Sequence, residues 1–290
     1  MLILVTALKH LFDPYWDTLK KDLAKENVAP LTIAQSPNLL GHPIGIIVLI
    51  VSGIFVIPRE ITFFEFWLGM IAISSCAYIL TIRALIETKF FAVQVLGSLV
   101  FVTSSIFAVI ILGEKLHHFQ VIAIILATIG VSLFSWPKIK DSLFIVDKGV
   151  IYILIAVTIG GLTSVLYKIA TLHAQSYSSF LTGRFIGDLI GWNIVWLISL
   201  VVIKRNPLRE LGNVYGNTHG LRMVVGVATS TLLSSWLIYK LPVTTMAILS
   251  TLTFPASYFL SQLKYREKIT LKMWLGTFCI LGALLLFFLT

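Results

Sequence analysis

The chain has 290 residues, of which 58% are hydrophobic and only 12% are charged, and its mean hydropathy is +0.95. Soluble domains carry about 25% charged residues, so this composition excludes an ordinary soluble protein. The net charge of +9 does not indicate a nucleic-acid partner, because the basic residues are spread over many short loops instead of forming one patch.

Apolar runs separated by charged, Pro or Gly clusters divide the chain into ten candidate membrane spans. A helix of about 20 apolar residues crosses a hydrocarbon core of about 30 Å. Strands are excluded, because an open sheet would leave backbone groups unpaired in lipid and no alternating barrel pattern is present. Trp67, near the start of the third span, is expected in the aromatic belt at the membrane interface. We predict an all-α, polytopic membrane protein with spans at residues 1–19, 30–57, 62–84, 90–112, 118–136, 149–171, 178–203, 220–240, 242–263 and 271–289.

The first span is the least apolar of the ten. Lys9, His10, Asp13 and Asp17 recur at spacings of three and four residues, so they share one helix face. Either this face lines a polar cavity as a proton or substrate relay, or the segment lies in the interface as an amphipathic helix. The number of spans is ten or nine accordingly, with Lys9 and Asp13 as candidate substrate-binding residues. No basic n-region precedes the apolar run, so we expect this segment to remain in the protein.

Ionisable residues inside the sixth and seventh spans are further site candidates, because such a residue costs at least about 2.5 kcal/mol at mid-helix. Lys168 either attracts a carboxylate or phosphate group or extends towards the interface. Arg184 and Asp188, four residues apart, share one face of the seventh span. Two interpretations stay open for this pair: it contacts substrate, or it neutralises itself to allow insertion. Close helix packing is predicted along a stripe beside the pair, formed by Gly183, Gly187 and Gly191.

The eighth and ninth spans are rich in hydroxyl side chains. Such side chains suit a wet, substrate-lined cavity, although they also bond back to carbonyls of their own helix. Ser250 and Thr251 are the candidates for substrate contact. Pro255 removes one backbone donor from the ninth span, so we predict a kink there that opens or closes the cavity.

The turns after the fourth and ninth spans share a motif. A Gly-Glu-Lys-Leu turn containing Glu114 follows the fourth span, and an Arg-Glu-Lys-Ile turn containing Glu267 follows the ninth. The agreement predicts two five-helix repeats, at residues 1–137 and 148–290, within one membrane domain. We expect each glutamate to stabilise the N-terminus of the helix that follows it.

These features resemble the drug/metabolite transporter superfamily, specifically EamA-type proteins, whose halves typically end in a Pro-containing helix, a Gly-Glu turn and a Gly-rich helix. In the second half, residues 252–255 precede Glu267 at about the family spacing, and residues 277–286 look like the closing helix. The first half has Val102 where the second half has a proline, and residues 1–45 depart most from the family pattern. The resemblance implies two inverted five-helix repeats around a central cavity that opens alternately to each side of the membrane.

The function implied is secondary active transport of a small polar or amphipathic metabolite by alternating access. The mixture of acidic and basic candidates favours an amino-acid-like solute. No GxxxxGK[ST] loop is present, so the energy comes from an ion or solute gradient, or from exchange. We expect a small-molecule substrate, membrane lipid, and a coupling ion or exchange solute as partners, with no cofactor and no metal. The expected location is the cell membrane, the inner membrane of a bacterium.

Two other functions stay open: a non-transporting membrane subunit or scaffold that uses the glycine stripe to bind a partner, and an intramembrane lipid-modifying enzyme. We expect no enzyme, because the six histidines form no HExxH motif and no Gly-x-Ser-x-Gly motif is present. Orientation also stays open. Most of the 22 Lys and Arg residues would place both termini outside by the positive-inside rule, whereas the resembled family keeps both termini in the cytoplasm.

Overall fold

The computed structural model describes residues 2–88, 90–142, 148–249, 253–265 and 271–288. Within these residues the chain forms helices joined by short connections and contains no strand, so the all-α prediction is confirmed. The helices are α1 (Leu2–Lys25), α2 (Pro30–Val51), α3 (Ile61–Glu87), α4 (Phe90–Ser98), α5 (Val100–Leu112), α6 (His118–Ser142), α7 (Lys148–Leu172), α8 (Tyr177–Val202), α9 (Pro207–Tyr215), α10 (Thr218–Lys240), α11 (Val243–Leu249), α12 (Thr253–Tyr265) and α13 (Leu271–Phe288).

Each of the ten predicted spans coincides with helical residues, and the fourth contains two helices, α4 and α5, which meet at Leu99. In the ninth span the structure describes α11 up to Leu249 and α12 from Thr253, and residues 250–252 lie outside the described residues. The division at Leu99 corrects the expectation of one continuous helix in the fourth span.

Helix α9 lies outside every predicted span. The side-chain oxygen of Asn206 caps its N-terminus by accepting hydrogen bonds from the backbone N–H groups of Leu208, at 2.9 Å, and Arg209, at 3.3 Å. Pro207 occupies the first helical position, where its missing N–H costs no hydrogen bond. A nine-residue helix is too short to cross a bilayer, and its mixed composition gives no apolar run by which to predict it.

Polar contacts fasten α9 to the start of α2. The Glu210 carboxylate accepts a hydrogen bond from the backbone N–H of Ala29, at 2.8 Å, and another from the Arg205 guanidinium, at 2.8 Å. Ala29 is the N-cap residue of α2 and its side chain cannot cap the helix, so the Glu210 carboxylate supplies the acceptor instead. The Tyr215 hydroxyl donates to the carbonyl of Ser36 at 2.6 Å, and burial raises the pKa of that phenol to about 12. The phenol therefore remains a donor throughout the physiological range.

Among the described residues, four helices are long and apolar enough to cross a membrane: α2, α3, α7 and α8. Shorter apolar helical segments lie at residues 100–112, 118–130 and 274–283. Length and composition of the described helices thus support a multi-span protein and leave the count of ten spans a prediction.

The chain folds into two compact units, each of which combines segments from both halves of the sequence. The first unit contains Met1–Tyr15, Arg83–Val165 and Leu241–Thr290, and the second contains Trp16–Ile82 and Leu166–Lys240. The predicted repeats are sequential segments, so their boundaries at 1–137 and 148–290 stay a prediction.

In the first unit, helices from the two predicted repeats pack in pairs: α6 with α13, α5 with α11, and α4 with α12. Because α4 precedes α5 whereas α12 follows α11, the fourth and ninth predicted spans run past each other in opposite directions. The Thr103 hydroxyl joins α5 to α7 by bonding the carbonyl of Val157 at 3.0 Å. Gly161 allows this approach, since a Cβ there would overlap the Thr103 side chain.

In the second unit, α2 packs against α8. Near the start of α2, Trp196 Nε1 donates a hydrogen bond to Thr32 Oγ1 at 3.0 Å. Towards the other end of α2, Gly45 lies against the ring of Phe185. Contacts that lie later in the sequence of α2 lie earlier in the sequence of α8, so the two helices are antiparallel.

The glycine stripe of α8 faces α3. A Cβ on Gly187 would overlap the indole of Trp67, which is fully buried. A Cβ on Gly183 would lie 2.5 Å from Phe63 Cε1. Large aromatic side chains of α3 therefore fill space that only glycine leaves free on α8.

Candidate functional site

Helix α8 holds two charged side chains one turn apart inside the second unit. The helix begins at Ser176, whose side chain accepts a hydrogen bond from the backbone N–H of Ser179 at 3.1 Å. Arg184 and Asp188 are 7% and 4% exposed, and Arg184 Nε lies 3.5 Å from Asp188 Oδ2. They form a buried ion pair on one face of the helix.

Two other helices supply partners to Asp188. Trp67 Nε1 on α3 donates a hydrogen bond to Oδ1 at 2.9 Å, and His42 Nε2 on α2 lies 3.4 Å from Oδ2. Burying a carboxylate away from water costs roughly several kcal/mol unless it is paired and hydrogen-bonded. These contacts offset that cost. They also place Trp67 inside the protein, so its expected position in the interfacial aromatic belt is wrong.

Arg184 is held by α7 and α10. Its Nη1 donates to Ser235 Oγ at 2.7 Å and to Ser234 Oγ at 3.1 Å. Its guanidinium carbon lies 5.6 Å from the centre of the Tyr167 ring, within the range of a cation–π contact. Side chains from five helices thus meet around one ion pair. We call this group the Arg184 cluster, and it consists of His42, Trp67, Tyr167, Arg184, Asp188, Ser234 and Ser235.

Two nitrogen atoms of the Arg184 cluster are buried without a hydrogen-bond partner in the described part of the chain: Arg184 Nε and His42 Nδ1. Arg184 Nε lies close to Asp188 but outside hydrogen-bond geometry. Leaving a buried donor unpaired costs about 1–3 kcal/mol. Arg184 Nε therefore keeps a hydrogen that an incoming acceptor would use, whereas His42 Nδ1 is an acceptor when Nε2 carries the proton.

The charged face predicted for the first span lies on α1, in the first unit. Lys9 Nζ donates to Asp13 Oδ2 at 2.7 Å, and His10 Nδ1 lies 3.2 Å from the same oxygen. Thr253 on α12 approaches the same imidazole nitrogen at 3.4 Å. The structure brings these three predicted residues together, while their contact with substrate stays a prediction.

Two other charged candidates have partners outside these groups. Asp17 pairs with Lys20 at 2.8 Å, one turn further along α1. Lys168 Nζ donates to the backbone carbonyl of Ile238 at 3.1 Å and so ties α7 to α10. Substrate contact by Lys168 stays a prediction.

The candidates of the ninth span are placed only in part. Ser250 and Thr251 lie outside the described residues. Pro255 lies in α12, two residues after Thr253, where the described part of that helix begins. The gating kink at Pro255 stays a prediction.

Glu114 stabilises a different helix from the one expected. Its carboxylate accepts hydrogen bonds from the backbone N–H of Val243, at 3.0 Å, and from the backbone N–H and hydroxyl of Thr244, at 3.2 and 2.9 Å. These residues begin α11, so Glu114 caps α11 in the second repeat and not α6, which follows it. Spacing along the chain could not reveal this, because the contact joins residues about 130 positions apart. Glu267 lies outside the described residues.

No group of three or more His, Cys, Asp or Glu side chains is placed to hold a metal ion in the ranges that the structure describes. Cys76 is exposed and Cys279 is half-buried, and both are free thiols.

Sequence analysis did not select His42 as a site residue. An ionisable residue among the apolar residues of the second span is the signal that could have selected it. Its pairing with Asp188, 146 positions away in the sequence, depends on how α2 packs against α8.

The sequence model of the EamA-like transporter family matches the chain twice, over residues 19–136 and 147–289. The chain belongs to the EamA-like transporter family. It is therefore an integral, multi-pass membrane protein of the drug/metabolite transporter superfamily with a two-repeat architecture, and members of this family are transporters, not enzymes.

A solved structure described only as "Crystal structure of protein" has the same fold, with a TM-score of 0.67 at 12% sequence identity. The match covers 98% of this chain and 95% of that chain. No curated protein matches the sequence significantly.

Proposed function

We propose that this EamA-like protein is a secondary active transporter that moves a small polar or amphipathic metabolite, favouring an amino-acid-like solute, by alternating access. We place it in the cell membrane, the inner membrane of a bacterium. The observation that carries the proposal is the Arg184 cluster of a transporter-family protein, in which the buried donor Arg184 Nε has no acceptor in hydrogen-bond geometry among the described residues.

The packing of repeat-related helices supports two inverted repeats. Helices α2 and α8 are the second predicted spans of their repeats, and they run antiparallel. The fourth and ninth spans also run in opposite directions, since α4 packs on α12 and α5 on α11. Repeats that point in opposite directions across a bilayer can exchange conformations, which is how inverted repeats produce alternating access.

The substrate class follows from the balance of donors and acceptors in the Arg184 cluster. Trp67, His42 and Arg184 all direct nitrogen atoms at the single carboxylate of Asp188. Among the described residues Arg184 Nε has no acceptor in hydrogen-bond geometry, so an acceptor is the group that would complete the cluster. The planar guanidinium of Arg184 matches a carboxylate in shape and charge, so the proposed site binds the carboxylate end of the solute.

Solute counterflow into proteoliposomes tests the proposal. Vesicles that contain the purified protein are loaded with one unlabelled solute, and uptake of the same labelled solute is measured across a panel of amino acids, nucleotide sugars, cationic drugs and phosphorylated metabolites. We expect counterflow for at least one amino acid and none for its amide or methyl ester.

Two variants make this test specific to the cluster. Arg184→Lys keeps the charge but loses the planar fork, so we expect counterflow to fall at least about tenfold, equivalent to about 1.4 kcal/mol. Arg222→Lys, at an exposed position of α10, is the matched control and should transport normally. A folded wild-type protein that transports no solute of the panel would contradict the proposal and favour a scaffold.

A further inference from the structure

His42 is a titratable member of the Arg184 cluster. Its pairing with Asp188 accounts for only one of its two ring nitrogens. The residue is 3% exposed, and its ring meets the Phe185 ring edge-on with centroids 5.3 Å apart. Nε2 faces Asp188, whereas Nδ1 is buried without a partner. A histidine with a purely structural role would normally bond both ring nitrogens, because each unpaired buried one costs free energy.

The charges around His42 come from few places. Helices α8, α9 and α10 pack against α2. From α8, Asp188 faces the imidazole directly and Arg184 lies behind it. From α9, Glu210 reaches α2 at Ala29, 13 residues before His42 and therefore more than three helical turns away.

The remaining neighbours of His42 add no charge to the cluster. From α9, the Tyr215 hydroxyl bonds the carbonyl of Ser36. From α10, the hydroxyls of Ser234 and Ser235 bond Arg184, and no charged side chain in the described part of α10 forms an ion pair with His42.

The net charge of the Arg184 cluster links protonation of the His42 imidazole to solute binding. With His42 neutral, Arg184 and Asp188 cancel and the cluster carries no net charge. The carboxylate end of the solute would enter the cluster and its ammonium group would stay outside, so binding would add one negative charge to a buried site, where two unit charges 4 Å apart interact with about 4 kcal/mol. A proton on His42 would cancel that charge. Histidine suits this task because its ordinary titration lies near neutral pH.

We propose that His42 carries the coupling proton, and that the protein is a symporter moving one proton with each carboxylate-bearing solute. When the carboxylate binds at Arg184, the free imidazole nitrogen of His42 takes one proton from the aqueous side to which the site is open. That nitrogen–hydrogen bond breaks when the solute leaves on the other side, and the proton returns to water. The inference rests on the proposed function, since it assigns the coupling ion to the same site.

Accumulation driven by a pH gradient tests the inference. The probe is the amino acid with the largest counterflow. With the membrane potential clamped at zero, one proton per solute turns an inward gradient of one pH unit into an accumulation of about tenfold. We expect this for the wild type. We expect a ratio of about one for His42→Gln.

His219→Gln is the matched control for that variant. The imidazole of His219 also has a buried Nδ1 without a hydrogen-bond partner, but the residue stands at the start of α10 and belongs to no part of the proposed site. We expect the His219→Gln variant to keep the tenfold accumulation.

Calorimetry on the wild type decides the question without any variant. Titration of the same amino acid in two buffers with different ionisation enthalpies counts the protons taken up on binding, and we expect about one per solute above neutral pH. Counterflow without proton uptake and without gradient-driven accumulation would overturn the symport and leave the proposed function standing. Absence of counterflow for every solute would reject both.

Discussion

Asp188 in the second unit and Asp13 in the first unit each face a cation and an imidazole, but their partners come from different places. The charged partners of Asp13, Lys9 and His10, lie on its own helix, one turn earlier. Asp188 has Arg184 on its own helix, and takes its other partners from α2 and α3. Its side chain is 6% exposed, against 26% for Asp13.

The difference shows which of the two charged groups depends on tertiary packing. The contacts of Asp13 with Lys9 and His10 can form as soon as α1 is helical, since side chains three and four residues apart are neighbours on any helix. The Arg184 cluster forms only when five helices have packed, and within the described residues it leaves Arg184 Nε and His42 Nδ1 without a hydrogen-bond partner. These two Asp13 contacts are therefore local, whereas the cluster depends on tertiary packing.

The largest effect is expected from Asp188→Ala. The change leaves the Arg184 guanidinium buried without its counter-charge and removes the acceptor of Trp67. Breaking a buried pair in this way costs about 3–5 kcal/mol. Asp13→Ala should cost about 1 kcal/mol or less, because its group is partly exposed and local. Thermal unfolding of the purified variants measures both. Equal losses would mean that the two groups do not differ as described.

A smaller effect is expected from Gly187→Ala. The added Cβ would overlap the Trp67 indole, which also bonds Asp188. Overpacking of this kind costs about 1–3 kcal/mol. Gly69→Ala is the matched control, because a Cβ at Gly69 on α3 meets no atom within 4 Å. A thermal midpoint that falls equally for both variants would rule out close packing along the stripe as the cause.

Next in size is Glu114→Ala, which removes the cap of α11. Loss of a capping side chain costs about 0.5–2 kcal/mol. Hydrogen exchange should accelerate at the amides of Val243 and Thr244, since both donate to this carboxylate. Glu65→Ala, at an exposed position of α3, should leave those amides unchanged. Unchanged exchange in the Glu114 variant would contradict the capping role.

The smallest effect is expected for the energy of the Lys9–Asp13 pair, which can be compared directly with that of the Arg184–Asp188 pair. A double-mutant cycle of Lys9→Met and Asp13→Asn isolates the energy of their pair. Pairs at this spacing on a helix contribute about 0.3–0.5 kcal/mol. The same cycle with Arg184→Met and Asp188→Asn should give a coupling several times larger. A coupling for Lys9 and Asp13 as large as that one would show that α1 holds a buried pair too.

The sequence predicts those parts of this protein that depend on local pattern. The apolar runs predict helices in all ten spans, and the spacing of Arg184 and Asp188 predicts that the two share a face. The partners of those residues could not be predicted, because His42 and Trp67 come from distant segments that only tertiary packing brings close. The division of the fourth span at Leu99 follows Gly97 and Ser98, a local signal that hydropathy averaged over a whole span does not reveal.

Glu114 illustrates the limit of motif reasoning. Its motif correctly indicates a carboxylate that caps a helix. Which helix it caps is set by the packing of α5 against α11, and no spacing within the turn contains that information.

Ligand-dependent thermal stabilisation tests the central claim, that the Arg184 cluster binds a carboxylate, most directly. The wild-type protein in detergent is unfolded with an amino acid at about 100 times its Kd, where binding should add about 2.7 kcal/mol of stability. The account predicts that the methyl ester of the same amino acid gives no stabilisation and that Arg184→Lys loses most of it. Equal stabilisation of the wild type and the Arg184→Lys variant by the amino acid and by its ester would contradict the account.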